Sequence, residues 1–349
     1  MYEGIIANPE VLEEDYVPPT LPCREVQKKE LALCLSPIEK GLRPSDCFCH
    51  GKPGTGKTAL VKHILEQIQD YTNAFAFYVN CWENKTLNQI LENLAVQANV
   101  FVTESSYSAK ISRLKQKIKN KPCVIALDEI DKIERKELND ILYILKQMGK
   151  VGLICISNTR EYVIDLDPRI LSRIRFKSIK FPPYSNEELL IILRHRVIEC
   201  KALFPGTYSM GILEKIADLA AGDARRAVQT LRNAAYNAER KGKHRIEEDD
   251  VKQGFEEVSE IKRKYTLQKL SEHHRLIYQI IKKNPGITSG KLTRTYRSLC
   301  KKAGLTPKSK RSLSNYVSTL LNLHLICGER VRTRGNVRKF FTGKKEFHI

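Results

Sequence analysis

Nowhere in this 349-residue chain does an apolar run approach the eighteen or so residues that a bilayer-spanning helix needs. The opening Met1-Tyr-Glu-Gly-Ile-Ile6 has no basic stretch ahead of an apolar core. No secretory signal is read there, and a cytoplasmic protein without a membrane partner is expected. Paired cysteines are missing too. Ten are scattered along the chain, and only Cys47 and Cys49 stand close, with no second pair nearby to complete a zinc site. They read as buried, reduced thiols on one face of a strand. Acid is scarce at the carboxyl end. From Lys262 onward 22 lysines and arginines face three acids, Glu272, Glu329 and Glu346, whereas residues 1–261 balance 38 bases with 37 acids. A charge run commonly means no more than a solvated face. So few acids in a patterned, foldable segment favour a polyanion partner instead.

What is present is organised around Gly51-Lys-Pro-Gly-Thr-Gly-Lys57-Thr58, which fits G-x-x-x-x-G-K-[ST] without a mismatch. The apolar run Asp46-Cys-Phe-Cys-His50 precedes it as an expected strand, and Ala59 to Ile68 follows with helical spacing. Glycines let such a loop turn successive N–H groups onto phosphate oxygens, and the helix adds the positive end of its dipole. Backbone groups of Gly54, Thr55, Gly56 and Ala59 are therefore expected around a nucleotide. Lys57 should reach the β- and γ-phosphates, and the Thr58 hydroxyl should hold Mg²⁺.

Further apolar runs supply the rest of a parallel sheet covered on both faces: Ala74 to Val79, Pro122 to Leu127, Val151 to Ile156 and Ser178 to Phe181. The second ends in Asp128-Glu129. An acid at a strand tip beside a phosphate loop can share the metal, and its neighbour can polarise the attacking water. Asp128 is read as the metal residue and Glu129 as the general base. Asn158 ends the next strand and could orient the water or the terminal phosphate. Ahead of the loop, residues 1–22 read as an extended lead-in, because Pro18, Pro19 and Pro22 oppose regular structure. Helical periodicity from Glu25 to Leu35 suggests a helix under the nucleotide base. After Pro182-Pro183-Tyr184 the pattern is all helical to about residue 261, with Arg225 opening the third of these helices; taken alone, Arg225 is a surface residue.

The basic tail reads as three helices, near Arg275–Ile281, Leu292–Lys302 and Ser312–Leu323, then two β-runs joined by a turn at Thr333-Arg-Gly-Asn336. That is a winged helix-turn-helix. Its third helix, opened by Lys308, Lys310 and Arg311, would enter a major groove. A wing carrying Arg330, Arg332, Arg334 and Arg338 would follow phosphates or a minor groove. Such domains also dock proteins; the charge favours DNA.

In this order, loop, Asp128-Glu129, Asn158 strand tip, the Arg-rich helix-like segment Asp167-Pro-Arg169-Ile-Leu-Ser-Arg173-Ile-Arg175 and small helical domain, the chain resembles the AAA+ ATPases. More narrowly it resembles the archaeal replication initiators related to the origin recognition complex and its Cdc-six loader. Matching stretches are Asp15-Tyr-Val-Pro18, Leu21-Pro-Cys-Arg24-Glu25, Tyr78-Val-Asn80-Cys81, Leu127-Asp-Glu-Ile-Asp131, Phe181-Pro-Pro-Tyr184 and Gly222-Asp-Ala-Arg225-Arg-Ala227. The resemblance implies an AAA+ P-loop core (parallel five-stranded αβα) over residues 1–182, an all-α lid over 183–261 and a winged helix over 262–349. It implies nucleotide contacts from Tyr184 and Arg196, sensor roles for Asn158 and Arg225, and an arginine finger for which Arg169 and Arg173 both fit. The helical segment after Asn80-Cys81 would touch duplex DNA. Implied cofactors are ATP or ADP with Mg²⁺. Implied partners are double-stranded origin DNA, a replicative helicase, and another copy or a paralogue on DNA. The expected activity is slow ATP hydrolysis working as a switch. A branch-migration type motor and an ATP-gated transcription regulator are the alternatives.

Overall fold

The computed structural model describes residues 4–101, 106–161, 166–302, 304–323, 325–333 and 335–342. The chain divides into two compact units, Met1–Phe255 and Glu256–Ile349. The boundary expected at 261/262 falls inside one helix, Glu248–Gln268.

In the first unit five strands, β1 (Cys47–His50), β2 (Phe75–Asn80), β3 (Cys123–Asp128), β4 (Val151–Ser157) and β5 (Lys177–Lys180), form a sheet ordered β2-β3-β4-β1-β5. Every pairing is parallel. Alternate side chains feed two separate cores. Cys47, Cys49, Val124, Ala126, Ile154 and Ile156 pack with Leu31, Leu35 and Leu60 from helices Glu25–Leu35 and Lys57–Tyr71. Phe48, Ile125, Leu127, Leu153 and Cys155 pack with residues of Leu87–Gln97, Tyr107–Ile118 and Arg135–Lys146 on the other face. Burial on both faces is why β1, β3 and β4 read as unbroken apolar runs, whereas the edge strand β5, expected as a further apolar run, buries only Ile179. Cys47 and Cys49 share a face as expected and are free thiols, pushed up in pKa by burial.

Helix Arg135–Lys146 was not anticipated, although Leu138, Ile141, Leu142 and Leu145 bury one stripe at helical spacing. Beneath the sheet, Asp46 takes two bonds from the Lys146 ammonium, at 2.7 and 2.8 Å, and accepts the Leu153 N–H at 2.8 Å. That ion pair is buried and fully bonded, so it ties β1, β4 and this helix into one block.

The all-α part packs Asn186–Ile198, Met210–Ala220 and Ala224–Arg240 around Leu193, Leu213, Ile216 and Leu231. Each helix starts at a side-chain cap, Ser185, Ser209 or Asp223, and Ser185 with Glu188 forms a full capping box. The lead-in is more than extended chain. A short 3₁₀ turn, Pro9–Leu12, and the bridge Ile6↔Leu203 sink Ile5, Val11 and Leu12 into this helical core. Pro18, Pro19 and Pro22 do lie outside any helix; the buried apolar residues ahead of them supply the anchor.

The second unit is a winged helix. Helices Glu272–Lys283, Ser289–Lys302 and Lys310–Asn322 pack against a sheet of β6 (Ile287–Thr288), β7 (Ile326–Thr333) and β8 (Gly335–Thr342), ordered β6-β8-β7. Ile277, Ile281, Leu292, Tyr296, Leu313 and Phe340 fill its core. Two points differ from the sequence reading. The two-residue β6 was invisible, being shorter than any periodicity can mark. The hairpin also pairs as far as Thr333↔Gly335, so its turn is tighter than the expected Thr333–Asn336.

Candidate functional site

The carboxyl ends of β1, β3 and β4 converge because β1 lies next to β4 and β4 next to β3, with His50↔Ser157 and Leu127↔Cys155 in register. The loop after β1 thus faces Asp128 and Asn158, at the place where open parallel sheets bind ligands. Gly54 and Gly56 have φ of 74° and 82°, a region that side chains avoid. A Cβ on Gly54 would stand 1.8 Å from Asp223 Oδ1, and one on Gly56 2.5 Å from the Tyr184 hydroxyl. Only glycine lets the loop curl this close to the lid.

Lys57 is buried and donates to the carbonyls of Gly51 (2.7 Å) and Lys52 (2.9 Å) and to Asn158 Oδ1 (3.1 Å). Burial pushes its pKa down to about 8 against the pull of Asp128. The Thr58 hydroxyl donates to Asp128 Oδ2 at 2.6 Å, and Tyr78 donates to the same oxygen at 2.9 Å. The other Asp128 oxygen accepts the Glu129 N–H at 2.8 Å. Glu129 adopts a left-handed conformation, φ 54°, uncommon for a non-glycine residue. Burial, then the neighbouring Asp128 charge, raises its pKa above the ordinary carboxylate range. The sequence-predicted Lys57, Thr58, Asp128, Glu129 and Asn158 are therefore together.

The lid closes directly on this loop. Ala224, first residue of its helix, donates its N–H to the Gly54 carbonyl at 3.0 Å. Tyr184 is buried, and its pKa is raised to about 12 mainly by that burial. Arg225 is exposed and lines the same cleft of about 340 Å³ as Lys57, Asp128, Glu129, Asn158 and Ala59. Arg196 also lines it, but its donors go to the carbonyls of Val11 (2.5 Å) and Tyr16 (3.1 Å). Arg169 and Arg173 are exposed on helix Pro168–Arg173 and do not line the cleft; the Arg173 guanidinium lies 5.0 Å from the Tyr143 ring centroid. Among the described residues helix Glu25–Leu35 contributes no lining side chain, contrary to the expectation that it lies under a base. Val17, Pro18 and Leu21 line it instead.

Two participants went unassigned in the sequence. Arg24, 3% exposed, donates to Thr55 O (3.0 Å) and Pro182 O (2.8 Å) and stacks 3.6 Å over the Tyr184 ring. Tyr78 steadies Asp128. Both lie inside stretches already noted above, so position was available and role was not. In the second unit Lys308, Lys310, Arg311 and Arg338 are exposed, and Ser309 caps the helix that opens at Lys310. Arg330 pairs with Arg338 and Arg332 with Asn336 across the hairpin; Arg334 lies outside the described residues.

The residues fit a nucleotide with a divalent cation: a glycine loop no side chain could replace, one buried ammonium, and hydroxyl and carboxylate oxygens 2.6 Å apart. Five parallel strands, this loop, the all-α lid and a winged helix define an AAA+ ATPase-type protein with a carboxyl-terminal winged-helix domain. Residues 44–160 match the AAA domain family, 191–256 the Cdc6 AAA+ ATPase-type lid domain, and 266–342 the CDC6 C-terminal winged helix domain. The chain is 33% identical to an ORC1-type DNA replication protein of Pyrococcus abyssi, over 92% of this chain and 83% of that one. It is 35% identical to ORC1-type DNA replication protein 1 of Sulfurisphaera tokodaii, over 96% and 88%. A solved structure of the Aeropyrum pernix ORC1 protein in complex with DNA covers 98% of this chain with 94% of its own, at 28% identity and a TM-score of 0.76. The chain belongs to the ORC1-type DNA replication protein family.

Proposed function

We propose that this protein is an ATP-dependent replication initiator that binds origin duplex DNA and helps recruit or load the replicative helicase, hydrolysing ATP slowly as a switch. The observation that carries the reading is the bond from Ala224 N–H to Gly54 O, which joins the helix bearing Arg225 to the phosphate loop. A change at the phosphates is thereby felt in the lid. Backbone N–H groups of Gly54 to Ala59 and the Lys57 ammonium bind the phosphates. Thr58 and Asp128 would hold Mg²⁺, which would supply positive charge to offset that of the phosphates. Glu129 takes the proton of the attacking water, and Asn158, already bonded to Lys57, orients it. Tyr184 and Arg196 contact the nucleotide, and Arg225 senses its terminal phosphate. Arg169 or Arg173 serves a neighbouring copy or paralogue in trans, which agrees with their absence from the chain's own cleft.

The core, lid and winged helix at 1–182, 183–261 and 262–349 divide the work. Lys308, Lys310, Arg311, Arg330, Arg332, Arg334 and Arg338 of the last hold the duplex, a reading supported by the excess of base over acid there and by the DNA bound to the Aeropyrum relative. Nuclease footprinting across the genome tests it: protection should concentrate at replication origins, and protection at promoters alone would refute it. Turnover should rise only weakly with added DNA, since strong stimulation is the property of a translocating motor.

A further inference from the structure

Helix Ala224–Arg240 presents Arg225, Gln229 and Arg232 along one face, spaced by four and three residues. The amino-terminal segment runs against that face. Glu14 Oε2 lies 3.9 Å from Arg225 Nε, and Glu14 Oε1 accepts from the Gln229 amide. Glu13 pairs with Arg232 at 2.9 Å one turn further along. Arg196 holds the carbonyls of Val11 and Tyr16, on either side of Glu14, so the backbone that aims this carboxylate is fixed from a second helix. Glu14 lines the cleft together with Lys57, Asp128, Glu129 and Arg225. A carboxylate in a polyanion site has the wrong sign for the ligand. Its partner is the cation that the site needs.

We propose that Glu14 is a specificity-determining residue of the cleft: it competes with the terminal phosphate for Arg225 and so limits the preference for a nucleoside triphosphate over the diphosphate. This rests on the nucleotide reading above. Arg225 lines the same cleft as Lys57, Thr58 and Glu129, which puts it at the phosphate-binding end. A triphosphate must draw Arg225 away from Glu14 and bear that carboxylate's repulsion. A diphosphate lacks the group Arg225 answers, so it meets little competition. The pair is about half exposed, at 56% and 47%, so solvent screening keeps the effect small.

Equilibrium titration of the full chain with fluorescent ATP and ADP analogues decides the matter. Glu14→Gln should tighten ATP roughly two- to five-fold, the range of an exposed ion pair, and leave ADP nearly unchanged. In an Arg225→Ala background the same substitution should leave the ATP-to-ADP ratio where Arg225→Ala set it. Glu13→Gln, whose partner is Arg232, should not move the ratio. Equal tightening of both nucleotides, the same gain without Arg225, or the same gain from Glu13→Gln would each overturn the proposal. So would wild-type binding of ATP with no change in Glu14→Gln. Failure of the wild type to bind either nucleotide would instead overturn the cleft assignment, and this inference with it.

Discussion

Arg24→Ala should unfasten the phosphate loop from the strand that ends beside it. The Arg24 side chain is 3% exposed, and two of its donors reach carbonyls far away in sequence, Thr55 and Pro182. Hydrogen bonds from a charged group contribute about 1.5–3 kcal/mol each, and a desolvated cation over a ring about 2 more. These terms share one side chain and do not add, and water entering the vacated space recovers part of the loss. A destabilisation of about 3–5 kcal/mol is expected, in line with removing one partner from a buried charged network. Arg24→Lys keeps the charge but cannot fork to two carbonyls, so about half of that loss should remain. The assay is urea unfolding followed by tryptophan fluorescence. Trp82 is the single tryptophan of the chain and lies in the first unit, so the signal reports on the unit that holds Arg24. With a denaturant slope of about 3 kcal/mol per molar, the midpoint should fall by about 1 M or more. A shift below about 0.3 M in Arg24→Ala would refute the clamp.

Lys57→Ala should abolish nucleotide binding by removing the buried ammonium, while Glu129→Gln should keep ATP bound and stop turnover; wild-type hydrolysis by Glu129→Gln would unseat it as general base. Burial lowers the pKa of His50, His63, His195 and His274, so below their unfolded pKa near 6.5 the unfolded chain binds more protons than the folded one. The stability these histidines confer is complete above that pH and is lost as pH falls, so melting temperature should drop between about pH 6.5 and 5.5; a rise over that interval would contradict the assignment. Replacing Arg332 and Arg334 together with alanine should make the slope of log DNA affinity against log salt shallower by up to about two units, at about 0.9 per phosphate contact, with basal ATP hydrolysis retained. Identical slopes would mean that the wing does not carry the phosphate contacts.

The phosphate loop and the strand-tip acids were legible because their chemistry is local: a glycine pattern, a following helix, and a carboxylate at the end of an apolar run. The middle of the sheet was legible for a related reason, since β1, β3 and β4, buried on both faces, leave continuous apolar stretches. The role of Arg24 was not legible. Its partners are backbone carbonyls of Thr55 and Pro182, and a carbonyl leaves no mark in a sequence. The same holds for Arg196, whose donors turn to Val11 and Tyr16, and for the anchoring of the lead-in, which depends on Glu239 accepting the N–H groups of Ile5 and Ile6 at 2.7 and 3.0 Å. Helix Arg135–Lys146 is a different case, because its buried stripe was plain in the residues.

The two units meet their anions by different physics, and the charge count follows from that. In the cleft the loop's glycines and the helix start supply oriented backbone dipoles around one buried ammonium, and acids at Asp128, Glu129 and Glu14 sit among them. Such a site needs no net charge, and residues 1–261 have almost none, with 38 bases against 37 acids. Burial also shields its interactions from salt. A winged helix has no enclosed cleft in which to fix dipoles around a long polyanion. On the proposed reading it offers exposed cations such as Lys308, Lys310, Arg311 and Arg338, whose contribution would come through counterion release. Salt should therefore act on DNA binding far more steeply than on nucleotide binding, and the acid-poor tail is the sequence-level consequence of holding an anion at an open surface.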